Sequence, residues 1–269
     1  MLELQLIRRL GIPQDTLDAV MALQLPENHE QIKAMFLSNK SGFKTYASQD
    51  DNGLGILRLY LEWLPDIRER YNILGIPLCV FNDSFKDISI WCNDYILKNG
   101  KPGLAEWDWV GKTLRLEVFR LGRLQFAPNE LCDNVSIDGR VFSKGTPILE
   151  VHIPAGEVLD TNQVLESLNW APLFFNKYFN TQYALFHCYS WLLAPALNDL
   201  LQAKSRILQF QKLFSIYRID HERQAEERVF GLVRDDIINY PEKTSLQKNI
   251  KKYLLDGKSI GIGAGVRMI

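Results

Sequence analysis

The chain has 269 residues, 46% hydrophobic, 23% charged and 11% aromatic, with a formal net charge of −1. That is ample apolar material for one large domain or two ordinary ones. A charge balance so near zero excludes the basic footprint of a nucleic-acid binder. Apolar runs are short and broken by charge, none near the ~20 residues a membrane span requires. The opening MLELQLIRRLGIPQD sets Glu3 and two arginines among Leu2, Leu6, Ile7 and Leu10. This is the pattern of an amphipathic helix, not of a signal peptide. Cys79, Cys92, Cys132 and Cys188 are scattered, with no CxxC spacing. Reduced thiols, no metal site and a cytoplasmic address are expected.

The first hundred residues read as mostly helical. After the first stripe, stopped by Gly11 and Pro13, an apolar stretch runs from Thr16 to Leu25, and Ile32, Met35 and Phe36 recur at helical spacing. The polar KSGFKTYASQDDNG reads as a loop. Ile56, Leu57, Tyr60, Leu61 and Leu64 then form one helical face that Pro65 is expected to kink or end. Phe85, Ile88, Ile90, Trp91 and Tyr95 predict a further helix. A domain break is placed at 100–101, in the turn-rich KNGKPG.

Beyond it, KPGLAEWDWVGKTLRLEVFRLGRLQFAP reads with a period of two, which predicts strand. Asp138-Gly139 in SIDGR marks a hairpin turn, and FSKGTPILEVHIP follows it. A helix is predicted from about Asp160 to Phe179, a buried strand at ALFHCYSWLL, and short helices at APALNDLL and SRILQFQKLF. SIYRID reads as a strand. Thr244 with Gln247 gives a capping-box start to TSLQKNIKKYLL, and Gly257 its stop. SIGIGAGVRMI reads as a final strand. The glycines of its GIGAG lack the strand–turn–helix context of a dinucleotide site. They leave one strand face bare for close packing. The fold class is α/β (α+β), with a helical domain over 1–100 and a mixed-sheet domain over 101–269.

Seven strings carry a resemblance across nearly the whole chain and in order: DSFKDISIWCNDY (83–95), LGRLQF (121–126), VHIPAGEVL (151–159), ESLNWAPLFFNKYF (166–179), FHCYSWLLAPAL (186–197), ILQFQKLF (207–214) and TSLQKNI (244–250). The chain resembles a family of bacterial acyltransferase-domain proteins that joins a helical N-acyltransferase domain to a GNAT-like C-terminal domain. The resemblance implies direct transfer of an acyl group from acyl-CoA to an amine of a small molecule, without metal. A non-catalytic protein that binds acyl-CoA or another small ligand as a sensor is the alternative.

A GNAT-like enzyme holds the pyrophosphate on backbone N–H groups at a helix start that follows a central strand. The thioester lies where two parallel strands splay apart. Here that strand is ILEVHIP, and Pro154, Ala155 and Gly156 are the candidate binding turn. The Arg/Gln-x-x-Gly-x-Gly/Ala loop of GNAT enzymes is absent, and Asp160 with Gln163 forms a capping box at the helix start. By strand alternation His152 shares a face with Ile148 and Glu150. Imidazole titrates near working pH, so His152 is the candidate general base, with Glu150 as its orienting carboxylate. On the next strand Phe186, Cys188 and Ser190 share one face, and His187, Tyr189 and Trp191 the other. Cys188 or Ser190 is expected to approach His152 across the splay, Cys188 as leaving-group acid or nucleophile. If the pleat runs the other way, Tyr189 is the acid. Arg123 and Gln125 share a face of LGRLQF and are candidates for the cofactor. A carboxylate of the N-terminal domain is the alternative partner for the charge.

Overall fold

A computed structural model describes residues 2–269, with side chains from Leu6 onward. The side chain of Leu2, part of the expected N-terminal stripe, and that of Glu3 lie outside the described residues. The chain divides into two compact units. Unit 1 runs to Leu121 and takes in Pro154–Gly156; unit 2 comprises Gly122–Ile153 and Glu157–Ile269. The division falls later in the chain than the break expected at 100–101. No helix among the described residues is long and apolar enough to cross a membrane.

Unit 1 is built from α1 (Leu2–Arg9), α2 (Gln14–Met21), α3 (His29–Ser38), α4 (Lys40–Ala47), α5 (Leu54–Ile73), α6 (Leu78–Asn99) and α7 (Trp107–Leu114), followed by the short strand β1 (Phe119–Leu121). Its centre is aromatic. Phe36 meets Phe43 edge-on at 4.9 Å, and both rings lie against Tyr60 and Trp63. Two expectations are corrected here. The segment read as a loop contains α4, because Phe43 and Ala47 are buried at i, i+4 and the Asn39 side chain accepts from Gly42 N–H. The segment read as strand contains α7, where Val110, Gly111, Thr113 and Leu114 are buried at helical spacing. Alternating Trp107 and Trp109 imitate a period of two: the Trp107 carbonyl accepts from the Tyr60 hydroxyl at 3.0 Å, and Trp109 Nε1 donates to the buried Asp87 at 2.7 Å. Helix α5 runs through Pro65.

Unit 2 contains β2 (Leu124–Glu130), the hairpin β3 (Val135–Ile137) and β4 (Arg140–Phe142), β5 (Pro147–His152), α8 (Thr161–Phe179), β6 (Leu185–Ser190), α9 (Leu197–Leu200), α10 (Arg206–Gln211), β7 (Ser215–Asp220), α11 (Gln224–Phe230), α12 (Ser245–Leu255) and β8 (Ile262–Met268). Asp138 and Gly139 both take positive φ, as a two-residue hairpin turn demands. Thr244 and Gln247 form the reciprocal capping box of α12. Within the unit the sheet runs β2-β5-β6-β8-β7, and β5 with β6 is its parallel pair.

Register assigns every side chain to a face. One face carries Phe126, Leu149, Val151, Phe186 and Cys188, all buried. Gly263 and Gly265 lie on it, opposite Ser190 and Cys188. A methyl on Gly263 would meet the Leu193 carbonyl oxygen at 2.5 Å, so the bare strand admits the turn after β6. The other face carries Gln125, Ala127, Asn129, Ile148, Glu150, His152, Leu185, His187, Tyr189, Ala264 and Val266. Its Ile148, Leu185 and Val266 end is packed by Val135 and Ile137 of the hairpin. Its other end is polar.

Candidate active site

The polar end lies where β5 and β6 part. Their ladder pairs Ile148 with Leu185, Leu149 with Phe186 and Glu150 with His187, and stops there. Beyond that point β5 stays paired to β2 through His152, and β6 to β8 through Ser190. Two parallel strands thus open a gap between Val151–His152 on one side and Cys188–Tyr189 on the other.

His152 and Glu150 stand two residues apart on one face, with Nε2 3.5 Å from Oε2. Asn129, across on β2, donates its amide to the same carboxylate oxygen at 3.0 Å. Burial alone would raise the Glu150 carboxyl. The hydrogen bond and charge of His152, the Asn129 amide and the charge of His187 outweigh it and hold the group at about 2. Glu150 is therefore a carboxylate throughout the working range. Buried Gln125 lies directly opposite His152 in the register.

On β6, His187 sits at the apex of the splay and Tyr189 beside the gap. Burial pushes the His187 imidazole down, against the pull of Glu150, so it is neutral near pH 7. Its Nε2 lies 3.1 Å from the Tyr217 hydroxyl. Tyr189 donates to Glu222 Oε1 at 2.9 Å. Burial, then Glu222 and Asp220, push its phenol up, so it keeps its proton.

The parallel register decides between the two pleats left open by the sequence. Tyr189 shares the His152 face; Cys188 and Ser190 point to the opposite, buried face. The expectation that Cys188 or Ser190 approaches His152 is thereby corrected. Cys188 is fully buried, and burial pushes its thiol up, away from a reactive thiolate. The Ser190 hydroxyl accepts from Leu192 N–H at 3.2 Å and caps the turn after β6. Arg123 is also corrected in part. Its Nε and Nη2 each donate at 2.9 Å to the carbonyls of Val158 and Glu157, so the guanidinium fastens the segment leading into α8. At the start of α8 the Asp160 carboxylate accepts from Asn162 and Gln163 N–H, so the expected capping box is reduced to its N-cap half. Pro154 is buried, Ala155 and Gly156 are exposed, and Gly156 holds φ at +87°. Asn129, Tyr217 and Glu222 were missed by sequence reasoning. Only the cross-strand register and a β7 irregularity bring them here.

The family model of the N-acyltransferase N-terminal domain matches residues 3–116, and that of the GNAT-like C-terminal domain matches residues 118–267. Among solved structures, an acyltransferase in complex with decanoyl-CoA is similar with a TM-score of 0.81 and 22% identity, over 98% of this chain and 86% of that one. An acyltransferase in complex with decanoyl-CoA and teicoplanin is similar with a TM-score of 0.78 and 23% identity, over 98% and 86%. An acyltransferase mutant in complex with octanoyl-CoA gives 0.80 and 22%, over 98% and 87%. Likeness at this identity establishes the fold. Comparison with curated proteins finds no match. With both halves matched in order, the chain belongs to the N-acyltransferase family in which an N-acyltransferase N-terminal domain precedes a GNAT-like C-terminal domain.

Proposed function

We propose that the protein is an acyl-CoA-dependent N-acyltransferase that moves an acyl group directly to an amine of a small molecule, with the β5–β6 splay as the transfer site. The observation that carries this reading is the parting of β5 and β6 with His152 and Tyr189 on one face of the two separated strands. The similar acyltransferases hold decanoyl-CoA, octanoyl-CoA or teicoplanin, which supports acyl-CoA as co-substrate and a small-molecule acceptor here. Pro154, Ala155 and Gly156, which follow β5 in the chain, are the proposed turn for the pyrophosphate.

In the proposed reaction the amine nitrogen attacks the thioester carbonyl carbon, the C–S bond breaks, and an amide and CoA form. His152 takes the amine proton at Nδ1 while Nε2 faces Glu150, whose fixed charge stabilises the imidazolium. Tyr189 gives its proton to the leaving thiolate, exchanging its hydrogen bond to Glu222 for one to sulfur. Direct attack is favoured over a Cys188 acyl-enzyme because that thiol is buried on the opposite face. The Asp160 cap at the start of α8 favours a second reading, a non-catalytic acyl-CoA-binding protein, because its charge opposes a phosphate. Calorimetric titration with acetyl-, octanoyl- and decanoyl-CoA, followed by assay of CoA thiol release with primary amines, separates the two. Binding with amine-dependent release supports the enzyme, and binding without release supports the sensor. Failure to bind any of the three refutes both.

A further inference from the structure

The Tyr189 hydroxyl does not face the splay. In the sheet order β5-β6-β8-β7 the gap lies on one side of β6 and β8 on the other. Tyr189 stands opposite Ala264 of β8, and Ala264 opposite Arg218 of β7, so all three share the His152 face. The Arg218 guanidinium is 5.8 Å from the centre of the Tyr189 ring. The hydroxyl donates to Glu222, two residues past the end of β7, at 2.9 Å. Adjacent strands are about 4.8 Å apart. A phenol whose partners lie on and beyond β7 therefore crosses β8 and leads away from β5. Ala264 is the residue it crosses, and the short side chain leaves room for the ring.

Arg218 is placed there by a bulge. Strand β7 pairs Ile216 with Gly265 and resumes at Arg218 with Ala264, so Tyr217 is an extra residue and the alternation resets. Arg218 Nε donates to Asp220 at 3.0 Å, and Nη1 pairs with Asp133. Glu222 is fixed through the residues that follow it. Gln224 Oε1 accepts from Trp191 N–H, just past the end of β6, at 2.9 Å. Arg223 binds the Glu226 carboxylate through Nε and Nη2, each at 2.7 Å. The turn that carries Glu222 is thus braced at two points, one of them beside Tyr189 in the chain.

We propose that Glu222, with Arg218, is a positioning residue that holds Tyr189 in a resting place across β8, and that the phenol turns back over β6 toward the thioester sulfur when acyl-CoA occupies the splay. The inference rests on acyl-CoA lying in the splay, as the transfer reading has it. Glu222 touches neither the thioester nor the amine; it acts through Tyr189. Turning breaks the hydrogen bond to Glu222, so the resting state competes with acyl-CoA for the phenol and lowers its apparent affinity.

Glu222 is exposed, so its substitution keeps the fold. Calorimetry with octanoyl-CoA compares wild type, Glu222→Ala, Glu222→Gln, Tyr189→Phe and the variant with both Tyr189→Phe and Glu222→Ala. Glu222→Ala tightens octanoyl-CoA roughly tenfold, the equivalent of one hydrogen bond to a charged group. Glu222→Gln still offers an acceptor and tightens it less. In the Tyr189→Phe background Glu222→Ala changes nothing, because no hydroxyl remains to be held. An equal gain in both backgrounds is the signature of a lost negative charge alone; that result, or no gain in either, overturns the inference. Fluorine NMR of protein labelled with 3-fluorotyrosine reads the ring directly, the Tyr189 signal being the one lost in Tyr189→Phe. Octanoyl-CoA added to wild type and Glu222→Ala in free protein move that signal the same way; a signal that neither moves overturns the inference. The predicted binding pattern without CoA thiol release to any amine refutes the transfer reading and keeps the hold on Tyr189. Wild type that does not bind octanoyl-CoA refutes both.

Discussion

Replacing Gly263 by alanine tests whether the bare face of β8 exists to admit the turn that ends β6. The added methyl would lie 2.5 Å from the Leu193 carbonyl oxygen and 2.8 Å from its carbonyl carbon and Cβ, inside the 3.0 Å that real Cβ atoms respect. Two of those atoms are backbone, so no flexible side chain can swing away. Overpacking of this kind costs about 1–3 kcal/mol, and the backbone neighbours place Gly263→Ala toward the upper part of that range. With an m-value of about 2 kcal/mol/M the urea midpoint falls by about 1 M. Gly156→Ala is the control. Nothing lies within 4 Å of its added methyl, so only the φ of +87° is strained, about 1–2 kcal/mol. Equilibrium urea unfolding of the two variants beside wild type measures the difference. A Gly263→Ala midpoint equal to wild type, or higher than that of Gly156→Ala, would refute the close-packing argument.

Three further outcomes follow from the site. Glu150 titrates at 4.5 without its partners and at about 2 in the folded chain. Its contribution, at most about 3 kcal/mol, is complete above pH 4.5 and disappears as the pH falls through about 2. Wild type and Glu150→Gln should therefore differ in urea midpoint at pH 6 and converge toward pH 2; a constant difference over that range contradicts the assignment. Cys79 and Cys132 are exposed while Cys92 and Cys188 are buried, so a thiol reagent should label only the first two in native protein. Cys188→Ser should retain turnover, and its loss in a folded variant would restore the acyl-enzyme route. Arg123→Ala removes the two hydrogen bonds to the carbonyls of Glu157 and Val158, at about 1 kcal/mol each. It should also weaken octanoyl-CoA binding by loosening the chain ahead of α8. Unchanged stability in urea would count against the clamp.

Much of unit 2 was legible because its signals are local. Asp138-Gly139, the Thr244–Gln247 box and the Asp160 cap each act within four residues of chain. Periods of two and 3.6 place β5, β6, β7, β8 and α8 without knowledge of their neighbours. Alternation likewise separates the two faces of β6, but it cannot say which face adjoins His152. That choice depends on the parallel register of Leu149 with Phe186, set by packing across the sheet. The choice between Cys188 and Tyr189 turned on it. The Tyr217 bulge was illegible for the same reason, since an extra residue exists only relative to the partner strand. In unit 1 the sequence misled at Trp107–Trp109, where two large side chains on successive faces of a helix mimic a strand. It misled again over 40–53, where a polar, turn-rich composition reads as a loop although α4 occupies Lys40–Ala47.

The central claim is that His152, oriented by Glu150, removes the amine proton during acyl transfer. The direct measurement is the pH dependence of turnover for wild type and His152→Gln, with octanoyl-CoA and the best amine acceptor at saturation. The account predicts that a folded His152→Gln variant binds octanoyl-CoA as wild type does. It loses about a hundred- to ten-thousand-fold in kcat, and the acidic limb of the wild-type profile disappears. A folded variant with wild-type turnover and an unaltered acidic limb would contradict the claim, leaving His152 a structural partner of Glu150 and the base elsewhere.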